Sequence, residues 1–440
     1  MSFQEFHLDP TILSGIKSIG YTTPTPIQKQ AIPVVLEEKD LLGLAQTGTG
    51  KTAAFMLPIL HLLNRQTRQR RVRALIVVPT RELAEQIHQA TIVLGQHSRV
   101  RSVAIYGGVS KGPQLKALRR GPEIVIACPG RLLDHVGERG IDLSGVEVLV
   151  LDEADTMCNM GFLPDIRRIL SHLPEKRQTL MFSATMPDDI RKLAVSILNN
   201  HVTVQVDPIA PAKTVSHALY PVTEGLKKDL LLALLEKTAT GRALIFTRTK
   251  HRTRRLALEL ATHRYRVASI QGNLSQNRRQ QAMDGFRDGT FDILVATDIA
   301  AHGIDVPEVS HVINFDMPDT ADAYTHRIGR TGRALHTGEA FTLAVPSDEP
   351  MVREVEKVLK TRIERRRLPG FGYGTFNPEA QFPQKPPQGR PQQNGARPGG
   401  NTSKVIPGPR EVTRWRGPEA RKPSGRPGAA RKSGPGLGRR

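Results

Sequence analysis

The sequence predicts an α/β protein built from two tandem parallel-sheet domains. Short apolar runs occur in the first half at 74–78, 123–127, 146–151, 179–182 and 202–206. A second series follows at 243–246, 267–270, 293–296, 311–315 and 340–345. Most of these runs are apolar throughout, as expected of strands buried on both faces of a parallel sheet. Helical patterns separate them, and strands that alternate with helices twice over indicate two RecA-like α/β domains in tandem.

The domain boundaries follow from breaks in this pattern. Residues 208–213 contain two prolines and no periodicity, so we expect a linker between a first domain, 1–207, and a second domain, 214–368. Gly, Pro, Gln and Arg dominate residues 369–440, and residues 371–440 hold 14 basic and three acidic side chains. Such a segment cannot bury enough apolar surface to offset its ordering entropy, so we predict a disordered basic tail.

Composition narrows the partner and the compartment. The chain has 63 Lys and Arg against 42 Asp and Glu, a net charge of +21. This excess favours nucleic acid over an anionic membrane as the partner, although a basic surface that only maintains solubility is the alternative. Two cysteines, Cys128 and Cys158, are too few for a disulfide framework, and no signal-peptide pattern or membrane-length apolar run occurs. We therefore expect a cytoplasmic protein.

A glycine-rich loop at 45–52 predicts an ATP site. It lies between an apolar run at 41–44 and a helical stretch at 53–60, so its backbone N–H groups and the positive helix end face a phosphate. Lys51 would neutralise the β- and γ-phosphates, and the Thr52 hydroxyl would bind Mg²⁺. The strict pattern begins with Gly rather than Ala, and an ordinary turn is the alternative. The expected ATP-binding residues here are Ala45, Gln46, Thr47, Gly48, Thr49, Gly50, Lys51 and Thr52.

Two adjacent carboxylates follow the apolar run that ends at residue 151. Asp152 and Glu153 therefore stand at the carboxyl end of a buried strand, where open α/β sheets bind ligands. We expect Asp152 to hold Mg²⁺ and Glu153 to orient and deprotonate the attacking water. A solvated helix cap is the alternative reading of the same pair.

An arginine-rich string, HRIGRTGR at 326–333, belongs to the second half of the chain. Arg330 and Arg333 are three residues apart and project from one side of a helical or turn segment. They are candidate arginine fingers that reach the γ-phosphate from the opposing domain. Taken alone, the string is also compatible with a basic surface patch.

The motifs occur together in a recognisable order. They are GYTTPTPIQ at 20–28, the phosphate loop, PTRELA at 79–84, GG at 107–108, CPGR at 128–131, DEAD at 152–155, SAT at 183–185, LIFT at 244–247, ATD at 296–298, GID at 303–305 and HRIGRTGR. Over about residues 1–350 the chain resembles the DEAD-box ATP-dependent RNA helicases, most closely the bacterial RhlE-type branch. The resemblance implies ATP and Mg²⁺ as cofactors. It also implies RNA-stimulated ATP hydrolysis that closes the two domains, locally unwinds short duplexes or remodels RNA–protein complexes.

The resemblance also assigns roles to individual residues. Contacts to the base and ribose of ATP fall on Phe3, Gln28 and Asp305. Coupling between the ATP state and RNA binding falls on Ser183, Thr185 and His326. RNA contacts fall on Thr80, Arg81, Gly108, Gly130, Arg131, Gln276, Arg279 and Thr297. Amides beside glycine, hydroxyls and arginines suit phosphate and sugar oxygens, so we expect little base-sequence preference and discrimination of RNA through the 2′-hydroxyl.

Three positions depart from the family pattern. Cys128 replaces the usual Thr, which puts one RNA contact in doubt because a thiol is a weak donor. His302 replaces the usual Arg, which puts the strength of coupling between the domains in doubt. Gln271-Gly272-Asn273 replaces the commoner His-Gly-Asp, which we regard as variation between branches.

Two other functions remain compatible with these motifs. An ATP-gated RNA clamp that holds partner proteins would use the same residues, and a DNA-translocating motor has a related architecture. The segment around Gln28 and the string at 152–155 favour the RNA enzyme. Ribosome-assembly and RNA-decay proteins are compatible partners, and the sequence does not choose between them.

The basic tail leads to a first prediction. Truncation after Leu368 should weaken RNA binding and flatten its dependence on salt, because each phosphate that the tail no longer neutralises removes about 0.7 from the slope of log K against log salt on single strands. Filter binding at several salt concentrations measures this slope. An unchanged slope would mean that the tail does not bind RNA.

Overall fold

The computed structural model of the protein describes residues 2–46, 48–206, 215–238, 241–298, 309–332 and 338–377. The predicted linker at 208–213, the tail from 378 onward and the candidate residues Thr47, His302, Asp305 and Arg333 lie outside these ranges. The domain boundaries and the disorder of the tail therefore stay predictions. No helix within the described ranges is both long enough and apolar enough to span a membrane.

The first sheet has seven strands. They are β1 (Leu41–Leu44), β2 (Ala74–Val77), β3 (Ser102–Ile105), β4 (Ile124–Ala127), β5 (Val148–Leu151), β6 (Gln178–Ser183) and β7 (Val202–Gln205). Their order across the sheet is β3-β4-β2-β5-β6-β1-β7, and every pair of neighbours is parallel. All carboxyl ends therefore meet at one edge, where β5, β6 and β1 are neighbours.

Nine helices cover this sheet among the described residues. They are α1 (Pro10–Ser18), α2 (Pro26–Leu36), α3 (Lys51–Arg65), α4 (Arg81–Leu94), α5 (Lys111–Leu118), α6 (Pro129–Gly137), α7 (Ala154–Asn159), α8 (Leu163–Leu170) and α9 (Asp188–Ile197). We call this sheet and its helices the first domain.

The second domain repeats this plan. Its strands are β8 (Val215–Pro221), β9 (Arg242–Phe246), β10 (Val267–Ile270), β11 (Ile293–Ala296), β12 (Val309–Asn314), β13 (Gly338–Ala344) and β14 (Glu364–Arg365). Their order is β10-β11-β9-β12-β13-β8-β14, again with every pair of neighbours parallel. Its described helices are α10 (Lys227–Thr238), α11 (Lys250–Thr262), α12 (Gln276–Arg287), α13 (Ala321–Ile328) and α14 (Glu349–Leu359).

Both faces of each sheet are buried, which explains the unbroken apolar runs. In β2, Ile76 belongs to the core layer that contains Phe55 and Phe182, whereas Leu75 and Val77 belong to the layer on the other face. Successive side chains of a strand point to opposite faces, so both must be apolar when helices cover both. The predicted α/β class with two parallel sheets is confirmed.

Three strands were not predicted from the sequence. β3 lies at a sheet edge and its side chains alternate between half-buried and buried, so its apolar signal is weak. β8 contains Ser216 and His217, and β14 has only two residues. Their pairing depends on the neighbouring strand rather than on their own composition.

A buried histidine gives the first domain a pH-dependent stability. The His61 Nδ1 atom accepts a hydrogen bond from the Asp9 backbone N–H, at 2.9 Å. Burial lowers the pKa of His61, with a further lowering from Arg65 and an opposing effect from Asp9. The unfolded chain therefore binds a proton more readily than the folded chain as the pH falls below about 6.5.

We accordingly predict that the free energy of unfolding of the first domain is fully retained above about pH 6.5 and decreases as the pH falls toward the lowered pKa. Urea denaturation at a series of pH values measures this slope. In a His61→Asn variant the amide oxygen can still accept from Asp9 but does not titrate, so the slope should be shallower. An equal slope in the two proteins would exclude His61 as a source of the dependence.

Candidate nucleotide and RNA site

The phosphate loop ends at the carboxyl edge of the first sheet and opens α3. Gly48 and Gly50 have φ values of 82° and 92°, which only glycine adopts readily. A Cβ atom on Gly50 would also lie 2.5 Å from Gln28 Nε2. Lys51 is the first residue of the 15-residue α3, so the loop carries the free N–H groups and the positive end of a long helix.

Lys51 and Asp152 form a buried pair beneath this loop. The Lys51 Nζ atom lies 3.8 Å from Asp152 Oδ1 and donates to the Ala45 carbonyl at 3.1 Å. Both side chains are almost fully buried. Burial raises the pKa of Asp152 to about 6, although Lys51 opposes the shift. The pair therefore combines a cation and an easily neutralised carboxylate at the point where phosphates would enter.

Glu153 adopts a strained backbone conformation beside this pair. Its φ is 52°, in the left-handed region that non-glycine residues rarely occupy, and its N–H donates to Asp152 Oδ1 at 2.9 Å. Its Oε2 atom is buried and accepts no hydrogen bond from any described residue. Such an atom is costly unless another group donates to it, so it marks a place for a water molecule or a ligand hydroxyl.

Asp155 connects the DEAD segment to residues 183–185. Its Oδ2 atom accepts from the backbone N–H groups of Ala184 and Thr185, at 3.1 and 2.8 Å, and from the Thr185 hydroxyl at 3.0 Å. Burial alone would raise the pKa of Asp155, but nearby His326, Lys51 and the Thr185 hydrogen bonds together hold it below its usual range. Because His326 belongs to α13, this carboxylate is electrostatically coupled to the second domain.

The segment at 183–185 also touches the phosphate loop. The Ser183 carbonyl accepts from the Ala45 N–H at 3.0 Å, and the Ser183 hydroxyl donates to the Thr185 carbonyl at 2.7 Å. A change in the phosphate loop can therefore reach Thr185 through two hydrogen bonds.

Gln28 contacts the phosphate loop directly. Its Oε1 atom accepts from the Thr25 N–H at 2.9 Å, and its Nε2 atom donates to the Gly50 carbonyl at 3.1 Å. Phe3 is 3% exposed and meets Phe6 edge to face, with ring centroids 6.2 Å apart. Recognition of adenine by Gln28 and Phe3 stays a prediction, and it would require both side chains to exchange contacts that they make here.

The arginine-rich string is held by a buried arginine whose role the sequence does not reveal. Arg327 forms a bidentate pair with Asp298, at 2.5 and 2.7 Å, and donates to Asn314 and to the Asp316 carbonyl. It thereby ties α13 to the segment that contains Thr297, a predicted RNA contact. Arg330 follows within the same turn and is 6% exposed.

Predicted RNA-binding residues of the two domains contact each other. Arg81 donates to Gln276 Oε1 at 3.3 Å, and Arg279 donates to Glu82 Oε1 at 2.7 Å. Gly108 has a φ of 78°, and a Cβ atom there would lie 1.9 Å from the Arg81 guanidinium. Glu82 was not predicted as a site residue, because its partner is almost 200 positions away in sequence. The two halves of the predicted RNA surface are thus joined in the structure.

The remaining predicted RNA contacts lie nearby with different degrees of freedom. Thr80 caps α4 by accepting from the Leu83 N–H at 3.3 Å. Arg131 donates twice to the Val109 carbonyl, each time at 3.0 Å, so it supports the loop that carries Gly108. Gly130 has open space around its Cα, and Thr297 is half-buried. Binding of RNA by these residues stays a prediction.

The residues at the phosphate loop fit a magnesium ion bound together with a nucleotide. Within the described part of the chain, no group of three or more His, Cys, Asp or Glu side chains could hold a metal ion by itself. Mg²⁺ typically keeps several waters and binds one or two protein groups plus substrate phosphates. Thr52 in the first turn of α3 and the neighbouring Asp152 match this requirement.

The fold and the site define a P-loop nucleotide-binding protein with two RecA-like domains. Two family models match the chain: DEAD/DEAH box helicase over residues 25–193 and helicase conserved C-terminal domain over residues 226–335. A DEAD-box ATP-dependent RNA helicase CshA of Bacillus subtilis is 42% identical over 84% of this chain and 74% of its own length. An ATP-dependent RNA helicase CshA of Listeria monocytogenes is 43% identical over 83% and 70%. The chain belongs to the DEAD-box ATP-dependent RNA helicase family.

Solved structures agree with this assignment. S. cerevisiae Dbp5 bound to RNA and ADP BeF3 is 30% identical, with a TM-score of 0.75 over 83% of this chain and 95% of that one. A DEAD box protein from the hyperthermophile Methanococcus jannaschii is 35% identical, with a TM-score of 0.51 over 83% and 99%.

The departure at Cys128 gives a prediction about its reactivity. Cys128 is buried at the N-cap of α6, and burial raises its pKa from 9.0 to about 12, which lowers the thiolate fraction about a thousandfold. Cys158 is half-buried. Iodoacetamide should therefore modify Cys158 well before Cys128 in the native protein, and at similar rates in urea, as mass spectrometry can measure. Faster modification of Cys128 in the native protein would contradict the buried thiol.

Proposed function

We propose that the protein uses ATP hydrolysis to close its two domains on RNA, and so separates short duplexes locally or remodels RNA–protein complexes. The observation that carries this proposal is the chain of contacts from the phosphate loop through Ser183 and Thr185 to Asp155, which His326 of the second domain approaches. A ligand that favours the closed arrangement at either site then favours it at the other.

In this proposal the first domain supplies most of the hydrolytic groups. Lys51 neutralises the β- and γ-phosphates, and Glu153 orients and deprotonates the attacking water through its unpartnered oxygen. Thr52 and Asp152 would hold Mg²⁺, which neutralises charge on the phosphate oxygens. The remaining loop residues donate their backbone N–H groups, while Phe3 and Gln28 receive the base.

The second domain completes the site. Arg330, together with Arg333, stabilises the charge that develops on the γ-phosphate, and Asp305 binds the ribose. Neither domain holds the full set of groups, so hydrolysis depends on closure. Release of the γ-phosphate removes the bridge between the domains and allows RNA to leave.

RNA is bound in this proposal across both domains by the joined surface of Arg81, Gln276 and Arg279, with Thr80, Gly108, Gly130, Arg131 and Thr297 around it. Arginines and backbone amides bind phosphates without reading bases, so the preference for sequence is weak. The basic tail adds non-specific affinity. Cytoplasmic location, the RhlE-type branch, and ribosome-assembly or RNA-decay proteins as partners belong to the proposal as well.

The ATP site yields a prediction with two variants. Lys51→Ala should abolish RNA-stimulated ATP hydrolysis and duplex release, because the buried cation at the phosphates is removed. Arg330→Ala should leave ATP binding nearly unchanged but reduce the hydrolysis rate on the order of 10³-fold, because the finger acts on the transition state. Steady-state ATPase assays and equilibrium binding of a fluorescent ATP analogue measure the two effects.

Arg353→Ala is the matched control, since Arg353 is an exposed arginine of the same domain, paired only with Glu349 one helical turn away. It should hydrolyse ATP at the normal rate. Full hydrolysis by the Arg330 variant would remove the finger role. ATP turnover without duplex release in the unmodified protein would favour the clamp function instead, and equal stimulation by DNA would favour a DNA motor.

A further inference from the structure

The second domain contains a counterpart of the phosphate site. The two sheets share one strand order, so β8 corresponds to β1, and β12 corresponds to β5. In the first domain the helix after β1 begins at Lys51, and Asp152 follows β5. In the second domain the helix after β8 begins at Lys227, and Asp316 lies just beyond β12.

Lys227 and Asp316 reproduce the buried pair of the first domain. Lys227 Nζ lies 3.3 Å from Asp316 Oδ1, and each side chain is only 3% exposed, compared with 3.8 Å for Lys51 and Asp152. Asp316 also accepts from the Arg248 backbone N–H at 2.9 Å and pairs with Arg252 at 3.2 Å. The position that holds phosphates in one domain is therefore equally well built in the other.

A cavity of about 480 Å³ opens beside this pair. Its charged and polar walls are formed by Glu224, Lys228, His251, Arg252, Arg255 and Glu259. Lys228 and His251 are exposed and have no ion-pair partner among the described residues. The Glu224 carboxylate lies between the cations, 3.4 Å from Lys227 Nζ and hydrogen-bonded to Arg252, in the place that an external anion would take.

The helix α11 adds an independent indication of a ligand. Five of its first six residues are basic (Lys250, His251, Arg252, Arg254 and Arg255), and its first turn contains no acid. The N-terminus of a helix is itself positive, so this arrangement is electrostatically unfavourable unless an anion is bound there. His251, Arg252 and Arg255 line the cavity.

We propose that this cavity binds a small polyphosphate anion, the chemistry shared by free nucleotides and inorganic polyphosphates. Binding occurs without hydrolysis, because the residue after Asp316 is Met317, whereas Glu153 follows Asp152. The loop after β8 also lacks the glycine-rich pattern, so the anion is bound by side chains rather than by a ring of backbone N–H groups.

The test measures how many inorganic tripolyphosphate ions the full-length protein binds, by equilibrium dialysis in about 0.15 M salt, where surface binding is screened. We expect two saturable sites. Lys51→Ala should remove one of them, and the double variant Lys228→Glu with His251→Glu should remove the other. The site that remains in the double variant reports that the protein is folded.

Two further variants sharpen this test. Reversing Arg353 and Lys357, two basic residues on α14 of the same domain, alters charge equally and should leave both sites. Glu224→Gln removes the internal carboxylate and should tighten the second site about two- to fivefold. Unchanged stoichiometry in the cavity variant, or equal losses in the cavity and control variants, would overturn the proposal.

Displacement by an ATP analogue separates the two sources of the anion. Release of tripolyphosphate from both sites would mean that the second site also accepts nucleotides. Release from the phosphate loop alone would mean that the cavity takes free polyphosphate. Both outcomes support an anion site in the second domain.

Discussion

The Asp155 carboxylate is the constraint on which the coupled site depends. It is almost fully buried, and three donors from Ala184 and Thr185 compensate for its lost hydration. A buried charge of this kind is stable only while its partners stay in place. Because the nearby His326 belongs to the other domain, the position of that domain affects the same carboxylate that fixes residues 184 and 185.

Parallel sheets explain why so many functional groups meet at this point. β5, β6 and β1 are adjacent, and the residues at their carboxyl ends are Asp152, Ser183 and Ala45. A loop that leaves such an edge has no strand partner to satisfy its backbone groups, so it can face a ligand. The positive φ of Glu153 and of the loop glycines shows that the backbone is held in unusual conformations at the same edge.

Much of this arrangement could be predicted from the sequence, and the remainder has a common physical origin. Buried strands such as β2 and β5 are apolar on both faces, and glycines at 48 and 50 announce a loop that only glycine can form. Arg327 and Glu82 were missed because their roles come from partners distant in the sequence, Asp298 and Arg279. An isolated charged residue carries no signal of the partner that will neutralise it.

The most direct test of this account is a double-mutant cycle between Asp155 and His326, measured as RNA-stimulated ATP hydrolysis. The variants are Asp155→Asn, His326→Asn and the two combined, with ATP binding determined separately for each. If the two residues act through one contact between the domains, the combined variant should lose little more activity than the more impaired single variant. Losses that multiply independently would contradict the coupling of the two domains through this carboxylate.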